Sequence, residues 1–342
     1  MKKVFSLLLM MVVLVLSLAA CSNAKIEGSD SEGSDSESDV YKVAVLTIRK
    51  MTTPADFNTL EGIEKLKAEY GDDIDIKIIE CIEIAEYKEQ VQAVSEEGYD
   101  VVYFIYDNFL PAVKELAPYY PDTKYIGLWI KMSEEELAEY PNVQPLFFKP
   151  EEGSFMAGVA AAKMTETGKV GFLGGGNNPG IITFLAGYEA GIKYADSSVE
   201  LVVTWANTFE DPIKGKELAD SMYSRDVDII FQVANQTGLG VFTSAQSNGK
   251  YAIGVDVDQS HLAPENIIAS VLLDHGYATY DSINKAYMGN FENKQVMYGL
   301  EEGMSVIATT HLIKDDILAE MDTIQKKIKN GEIQIPITTI TQ

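Results

Sequence analysis

From Tyr41 onward the apolar positions alternate between short continuous runs and longer stretches with helical spacing. This pattern predicts strands over 43–48, 74–79, 101–105 and 124–130, separated by helices over 58–70, 84–97 and 111–117. The pattern then restarts. Helices over 151–163, 183–194, 213–224 and 238–248 interleave with strands over 169–173, 200–204, 227–232 and 251–255. The remainder predicts an apolar β-branched stretch at 267–273, a helix over 277–288, a strand near 294–298, a charged amphipathic helix over 313–331 and a last strand over 333–340 containing Pro336. Strand and helix alternating through short loops make a parallel sheet covered on both faces. Two such series predict an α/β protein of two similar parallel-sheet lobes with a ligand cleft between them. The first lobe takes residues 41–147 plus about 272–301, the second 148–271 plus about 302–342.

The residues before Tyr41 read differently. Lys2 and Lys3 precede an apolar run over 4–15, and the segment closes on Leu18-Ala19-Ala20-Cys21. A basic start, an apolar core and small residues before a cleavage point make residues 1–20 a signal peptide, too short to stay as a membrane span. Leu-Ala-Ala-Cys resembles a bacterial lipobox, which makes Cys21 the lipid attachment site; the alternative is an ordinary signal peptide with an incidental Cys. Residues 21–40 include GSDSEGSDSESD, Gly, Ser and acid with almost nothing to bury. Such a segment is a disordered acidic linker. The expectation is a body tethered by lipid to the extracytoplasmic face of the cell membrane.

Charge and chemistry then narrow the function. The net charge is -25 with no Lys/Arg cluster, which argues against nucleic acid and phosphate-rich partners. Beyond Cys21 the chain has only Cys81, so no intramolecular disulfide forms. His261, His275 and His311 fall in no metal-ligand spacing, and neither GxSxG nor a Walker loop occurs. No catalytic residue, metal or cofactor is expected. The run Gly174 to Gly180, GGGNNPG, departs from GxGxxG and lacks the acid a dinucleotide loop needs, so it reads as a flexible turn near the cleft or hinge.

The stretch YAIGVDVDQ, 251–259, is a buried strand running directly into Asp256 and Asp258. Ligands of open α/β sheets sit outside the carboxyl ends of the strands, which makes Asp256 a candidate ligand group. The alternative is that both carboxylates cap the next turn.

Several stretches occur together in order: FKPEEGSFMAG at 148–158, VGFLGG at 170–175, Phe184 with Gly187-Tyr188 and Ala190-Gly191, Phe209 with Asp211, TGLGV at 237–241, and IGVDVDQ at 253–259. As a set they resemble the basic membrane protein family of substrate-binding lipoproteins, the purine nucleoside receptors of ABC importers. The resemblance runs from about Tyr41 to about Ile340. It implies a periplasmic-binding-protein type I fold without enzymatic activity, working with an ABC permease and ATPase. Such proteins hold a base between aromatic rings and a ribose with carboxylates, as flat π faces and hydroxyl donors require. A ligand-sensing lipoprotein signalling to a membrane receptor is the alternative.

Carried over residue by residue, the resemblance makes Asp256 a ribose ligand and Asp258 structural. It places base-stacking rings at Phe209 and, just before it, Trp205. Phe57 and Asn58, in a loop read over 47–58, match a pocket-lining Phe-Asn; their alternative is a plain helix cap with a hydrophobic staple. Asp107, with Asn108, follows a strand at the cleft edge, and Asn235 stands where the family often has Gly. Two departures bear on the ligand. Arg49 and Lys50 occupy a loop that is usually acidic or small, with Asp56 as a displaced acid. Leu273 stands at the family's usual Lys, which removes a cation beside Asp256 and leaves Arg49 or Lys50 to replace it. A modified pocket, with a ligand that differs from a standard purine nucleoside, is the expectation.

Overall fold

The computed structural model describes residues 40–303 and 307–338. The predicted signal peptide, Cys21 and the linker up to residue 39 lie outside the described residues. The first series comprises β1 (Tyr41–Thr47), α1 (Pro54–Tyr70), β2 (Ile74–Glu80), α2 (Ile84–Glu96), β3 (Val101–Ile105), α3 (Leu110–Leu116), β4 (Lys124–Leu128), α4 (Glu134–Glu139) and β5 (Val143–Phe148). The second comprises α5 (Pro150–Met164), β6 (Lys169–Gly174), α6 (Pro179–Ala195), β7 (Glu200–Trp205), α7 (Pro212–Tyr223), β8 (Ile229–Val233), α8 (Gln236–Asn248), β9 (Tyr251–Asp256) and β10 (Ile267–Leu272). There follow α9 (His275–Tyr287), β11 (Val296–Tyr298), β12 (Ile307–Thr309) and α10 (Asp315–Lys329).

These strands form two six-stranded sheets, ordered β11-β5-β4-β3-β1-β2 and β12-β10-β9-β8-β6-β7. Every neighbouring pair is parallel except β10 with β12. Strands covered on both faces carry uninterrupted apolar runs, and all of Val101–Ile105 is buried. The chain leaves the first sheet after β5, returns after β10 to place α9 against α1, and crosses again after β11. Helices α1 and α9 meet backbone to backbone: a Cβ added to Gly62 would stand 2.2 Å from the Gly276 carbonyl oxygen.

The last predicted strand does not form over 333–338, and 339–340 lie outside the described residues. Pro336 lacks the N–H a ladder needs, and Ile333 and Ile335 pack as partly buried single residues against the core. Strand β5 is a converse case, because Pro145 argues against a strand; it lies just where β11, which pairs only from Leu146, no longer runs alongside. Helix α1 begins at Pro54 rather than at 58, started by a capping box between Thr53 and Asp56. Phe57 and Asn58 therefore sit on the first turns of a helix, not in a loop. The glycine run is likewise shorter as a turn than it reads: Asn178 caps α6, and Pro179 and Gly180 are already helical.

Candidate functional site

A cavity of ≈ 490 Å³ opens at the carboxyl ends of both sheets. This lies within the roughly 300–1,000 Å³ of small-molecule sites. The first series lends it Thr52, Pro54, Phe57, Asn58 and Glu61 from the start of α1. The second lends Asn235, Gln236 and Leu239 at the start of α8, Val255 to Val257 at the end of β9, and His261 and Leu262 just beyond. Among the described lining residues none is Lys or Arg, while Asp256 and Glu61 are acidic. The wall is thus negative and repels anions.

Asp256 sits at the end of β9 with φ 70°. The Val257 amide donates to the Val255 carbonyl at 2.9 Å across it, closing a γ-turn, a conformation that is strained for a residue with a side chain. Gln259 holds that turn: its Oε1 accepts from the Val255 amide and from Gln232 Nε2, each at 2.9 Å, while its own amide donates to Ser270 Oγ. The carboxylate of Asp256 has no hydrogen-bond partner among the described residues. Burial, reinforced by the charge of Asp56 and opposed by that of Arg49, raises its pKa to about 6. Asp258 is the structural member of the pair, accepting from the Ser260 amide at 2.9 Å.

Arg49 stands in the loop before α1. Its guanidinium forms an ion pair with Asp56 and donates to Tyr106 Oη at 3.1 Å. Asp56 is nearly sealed from solvent, and the same Oδ2 also accepts from the Thr52 and Thr53 amides and from Thr53 Oγ1. Lys50 has no ion pair among the described residues. Leu273 supplies no polar group either, being fully buried in the core, with its amide donating to the Asp256 carbonyl at 2.9 Å. Behind this cluster His275 is buried against Trp129 and Phe148, its Nε2 unpartnered. Burial lowers its pKa to about 4 and keeps it neutral.

Of the candidates read from sequence, Asp256, Phe57, Asn58 and Asn235 come together on the cavity wall. Phe57 is 53% exposed and makes no ring–ring contact among the described residues. Asn58 is held to the interlobe return: its Oδ1 accepts from the Gly276 amide at 2.8 Å and its Nδ2 reaches Glu61 at 3.3 Å. Trp205 and Phe209 are not on that wall. Trp205 closes β7 and packs edge-on to Phe172, and the ring of Phe209 lies on Gly175, where a Cβ would approach it to 2.3 Å. Asp107 is exposed at the start of a short turn after β3 and is also off the wall.

Backbone strain marks the same crevice. The non-glycine residues with positive φ are Tyr106, Trp129, Asn207, Asp226, Asn235 and Asp256 among those described. All but Asp226 lie at or within two residues of the carboxyl end of a parallel strand. Tyr106 (φ 80°, ψ 154°) and Asn235 (φ 51°, ψ -128°) adopt conformations in which glycine is at home. Tyr106, Glu61, Gln236 and His261 escape a motif-based reading. The signal that reaches Tyr106 is its place directly after a buried parallel strand.

The chain matches the family described as ABC transporter substrate-binding protein PnrA-like over residues 54–339. It is 33% identical over 284 residues to Basic membrane protein A of Borreliella burgdorferi, covering 82% of each chain. It is 32% identical over 306 residues to Basic membrane protein A2 of Borrelia garinii subsp. bavariensis, covering 87% of this chain and 89% of the relative. In three dimensions it resembles a solute-binding protein of an ABC transporter system from Aeropyrum pernix K1, with TM-score 0.75, 23% identity and coverage of 88% and 94%. A transcriptional activator of the comK gene from Bacillus halodurans has the same fold at TM-score 0.74 and 18% identity, covering 86% and 99%. Fold alone therefore does not decide between the roles named for these two proteins.

Proposed function

The chain belongs to the PnrA-like family of ABC transporter substrate-binding proteins, and on that footing we propose that it captures a nucleoside, or a related small polar aromatic molecule, for an ABC permease and its ATPase. The family is one of binding proteins and not of enzymes. One observation carries the ligand reading: a carboxylate, Asp256, held without a partner by a strained turn at the mouth of a parallel sheet. A carboxylate there accepts from ligand hydroxyls, and vicinal ribose hydroxyls give it two donors at once. Phe57 offers an exposed ring on the same wall for a flat base. The acidic lining favours uncharged nucleosides over their phosphates.

In this reading residues 41–147 with about 272–301, and 148–271 with about 302–342, are two lobes that close over the ligand. Lipid on Cys21 and the acidic linker keep the body at the extracytoplasmic membrane surface. Thermal shift and calorimetry with purine and pyrimidine nucleosides and their 5′-monophosphates test the ligand class. At a hundred times Kd, a binding nucleoside adds about 2.7 kcal/mol and raises Tm by about 5 °C or more. If no nucleoside shifts Tm, or the monophosphates bind as well, the reading fails. Phe57→Ala should weaken binding of the preferred nucleoside by about tenfold with little change in Tm, since the ring is more than half exposed in the free protein.

A further inference from the structure

We propose that Asn235 is a specificity-determining residue of the site: its side-chain amide donates to the same ligand hydroxyls that donate to Asp256, and the two together select a vicinal diol. The proposal deepens the nucleoside reading and rests on it only for the ribose that carries those hydroxyls. It starts from a side chain whose conformation helix capping does not explain. Asn235 stands at the N-cap of α8 with φ 51° and ψ -128°, a backbone that suits glycine and strains any larger residue. An Asn at an N-cap ordinarily accepts from the first turn of its helix. Here that bond is absent. The side-chain amide of Asn235 has no hydrogen-bond partner among the described residues, and the residue lines the cavity. Gln236, next along the wall, is already helical and carries no such strain.

The surrounding contacts fix where this amide stands. Strands β8 and β9 are parallel neighbours; Asp256 closes β9, and Asn235 lies two residues beyond the end of β8. Two buried glutamines join the residues that precede them. Gln259 Oε1 accepts from the Val255 amide and from Gln232 Nε2, each at 2.9 Å, and Gln232 Oε1 accepts from the Ala234 amide at 3.2 Å. Gly238, in the first turn of α8, leaves no space for a Cβ against the Gln232 side chain. The backbones that carry the carboxylate and the amide are thus held at one spacing, on strands about 5 Å apart. A ligand hydroxyl brings one proton and two lone pairs, and a carboxylate takes only the proton. In a closed cleft the lone pairs need a donor of their own. The lining holds no Lys or Arg to supply one, and the side chain of Asn58 is committed to Gly276 and Glu61. Asn235, one strand away from Asp256 with its amide unpartnered, supplies it. A deoxy sugar therefore loses contacts to both groups at once.

The test joins thermal unfolding of the free protein to a cycle over protein and ligand. Asn235→Gly should hold Tm level or raise it by about 2 °C, because glycine relieves the strain and no cap is lost. A fall of that size makes the side chain structural and overturns the proposal. Calorimetry then takes adenosine, guanosine, inosine, cytidine and uridine, each with its 2′- and 3′-deoxy counterparts. Asn235→Gly should weaken the tightest ribonucleoside by about tenfold, and the deoxy counterpart that lacks the shared hydroxyl by about twofold or less. Asn235→Asp keeps the size and the tolerance of positive φ but replaces the donor with a second carboxylate, and should weaken the same ribonucleoside by about 100-fold or more. Equal losses for ribonucleosides and their deoxy counterparts, or undiminished binding by Asn235→Asp, overturn the proposal while the nucleoside reading stands. D-ribose separates the two in the other direction. If no nucleoside binds the wild type but ribose does, and Asn235→Gly weakens it by about tenfold, the nucleoside reading fails and the role of Asn235 stands. If neither nucleosides nor ribose bind, both fall.

Discussion

Asp256→Asn lowers affinity for the nucleoside that binds most tightly by about 100- to 1,000-fold, and at pH 7 the same change makes the free protein more stable. The loss follows from the chemistry of the contact. Hydrogen bonds to a charged acceptor contribute about 1.5–3 kcal/mol each, and an amide offers neither the charge nor two equivalent oxygens to a pair of hydroxyls. Asn is the informative exchange because it tolerates the φ of 70° at this position, where Ala would add backbone strain. The gain in stability has a defined pH window. Burial raises the Asp256 carboxyl to about 6 from an ordinary value of 3.8, so the folded protein retains a proton between those values that the unfolded chain has released. The stability linked to this group is complete below about pH 4 and lost as pH rises through about 6. Removing the charge should recover about 1–2 kcal/mol at pH 7, after allowance for partial solvent access, and nothing at pH 4. In the wild type, affinity for that nucleoside should fall as pH drops through about 6, because the protonated carboxyl is the weaker acceptor. Calorimetry between about pH 5 and about pH 8, with thermal unfolding extended down to about pH 4, checks both halves. Unchanged affinity in Asp256→Asn removes the residue from the site.

The part of this picture that was legible in the sequence is the part governed by strand burial. The run from Ala252 to Val255 is apolar because β9 is covered on both faces, and it ends in an acid because the sheet ends there. The rest was hidden for identifiable reasons. Helix α1 starts four residues earlier than periodicity indicates, because Pro54 and the Thr53/Asp56 capping box, not apolar spacing, begin it. Strand β5 carries Pro145, and β12, only Ile307–Thr309, is too short to give a pattern. Arg49 was legible as an unusual loop residue. Its partners were not, since Tyr106 is 57 residues away in the chain and strand order alone brings the two together. The rings of Trp205 and Phe209 have a packing role that no motif discloses, because it depends on the glycines of a neighbouring strand end.

Gly191→Ala destabilises the protein by at least about 3 kcal/mol, even though it places the best helix former in the middle of a helix. Helix α6 packs on α5 closely enough that a Cβ on Gly191 would lie 2.0 Å from the Phe155 carbonyl oxygen. A Cβ on Gly187 would lie 2.3 Å from the Glu151 carbonyl oxygen, and one on Gly158 of α5 would lie 2.2 Å from that of Tyr188. Each contact is with backbone, so no side-chain rotation relieves it, and the helices must separate. Separation opens voids beneath residues that are now fully buried, including Tyr188 and Phe172. The gain in helix propensity, about 1 kcal/mol, is smaller than this cost. Gly180, in the same helix, supplies the contrast: a Cβ there meets only Asn178 Oδ1 at 3.4 Å, an ordinary contact. Gly180→Ala should leave Tm level or raise it slightly, whereas Gly191→Ala should lower it by about 6 °C or more. Thermal unfolding of the two variants side by side separates the effect of interhelical clearance from that of glycine as a residue type. Equal Tm values would mean that α5 and α6 yield without cost, and that the Gly- and Ala-rich faces of this helix pair do not set its spacing.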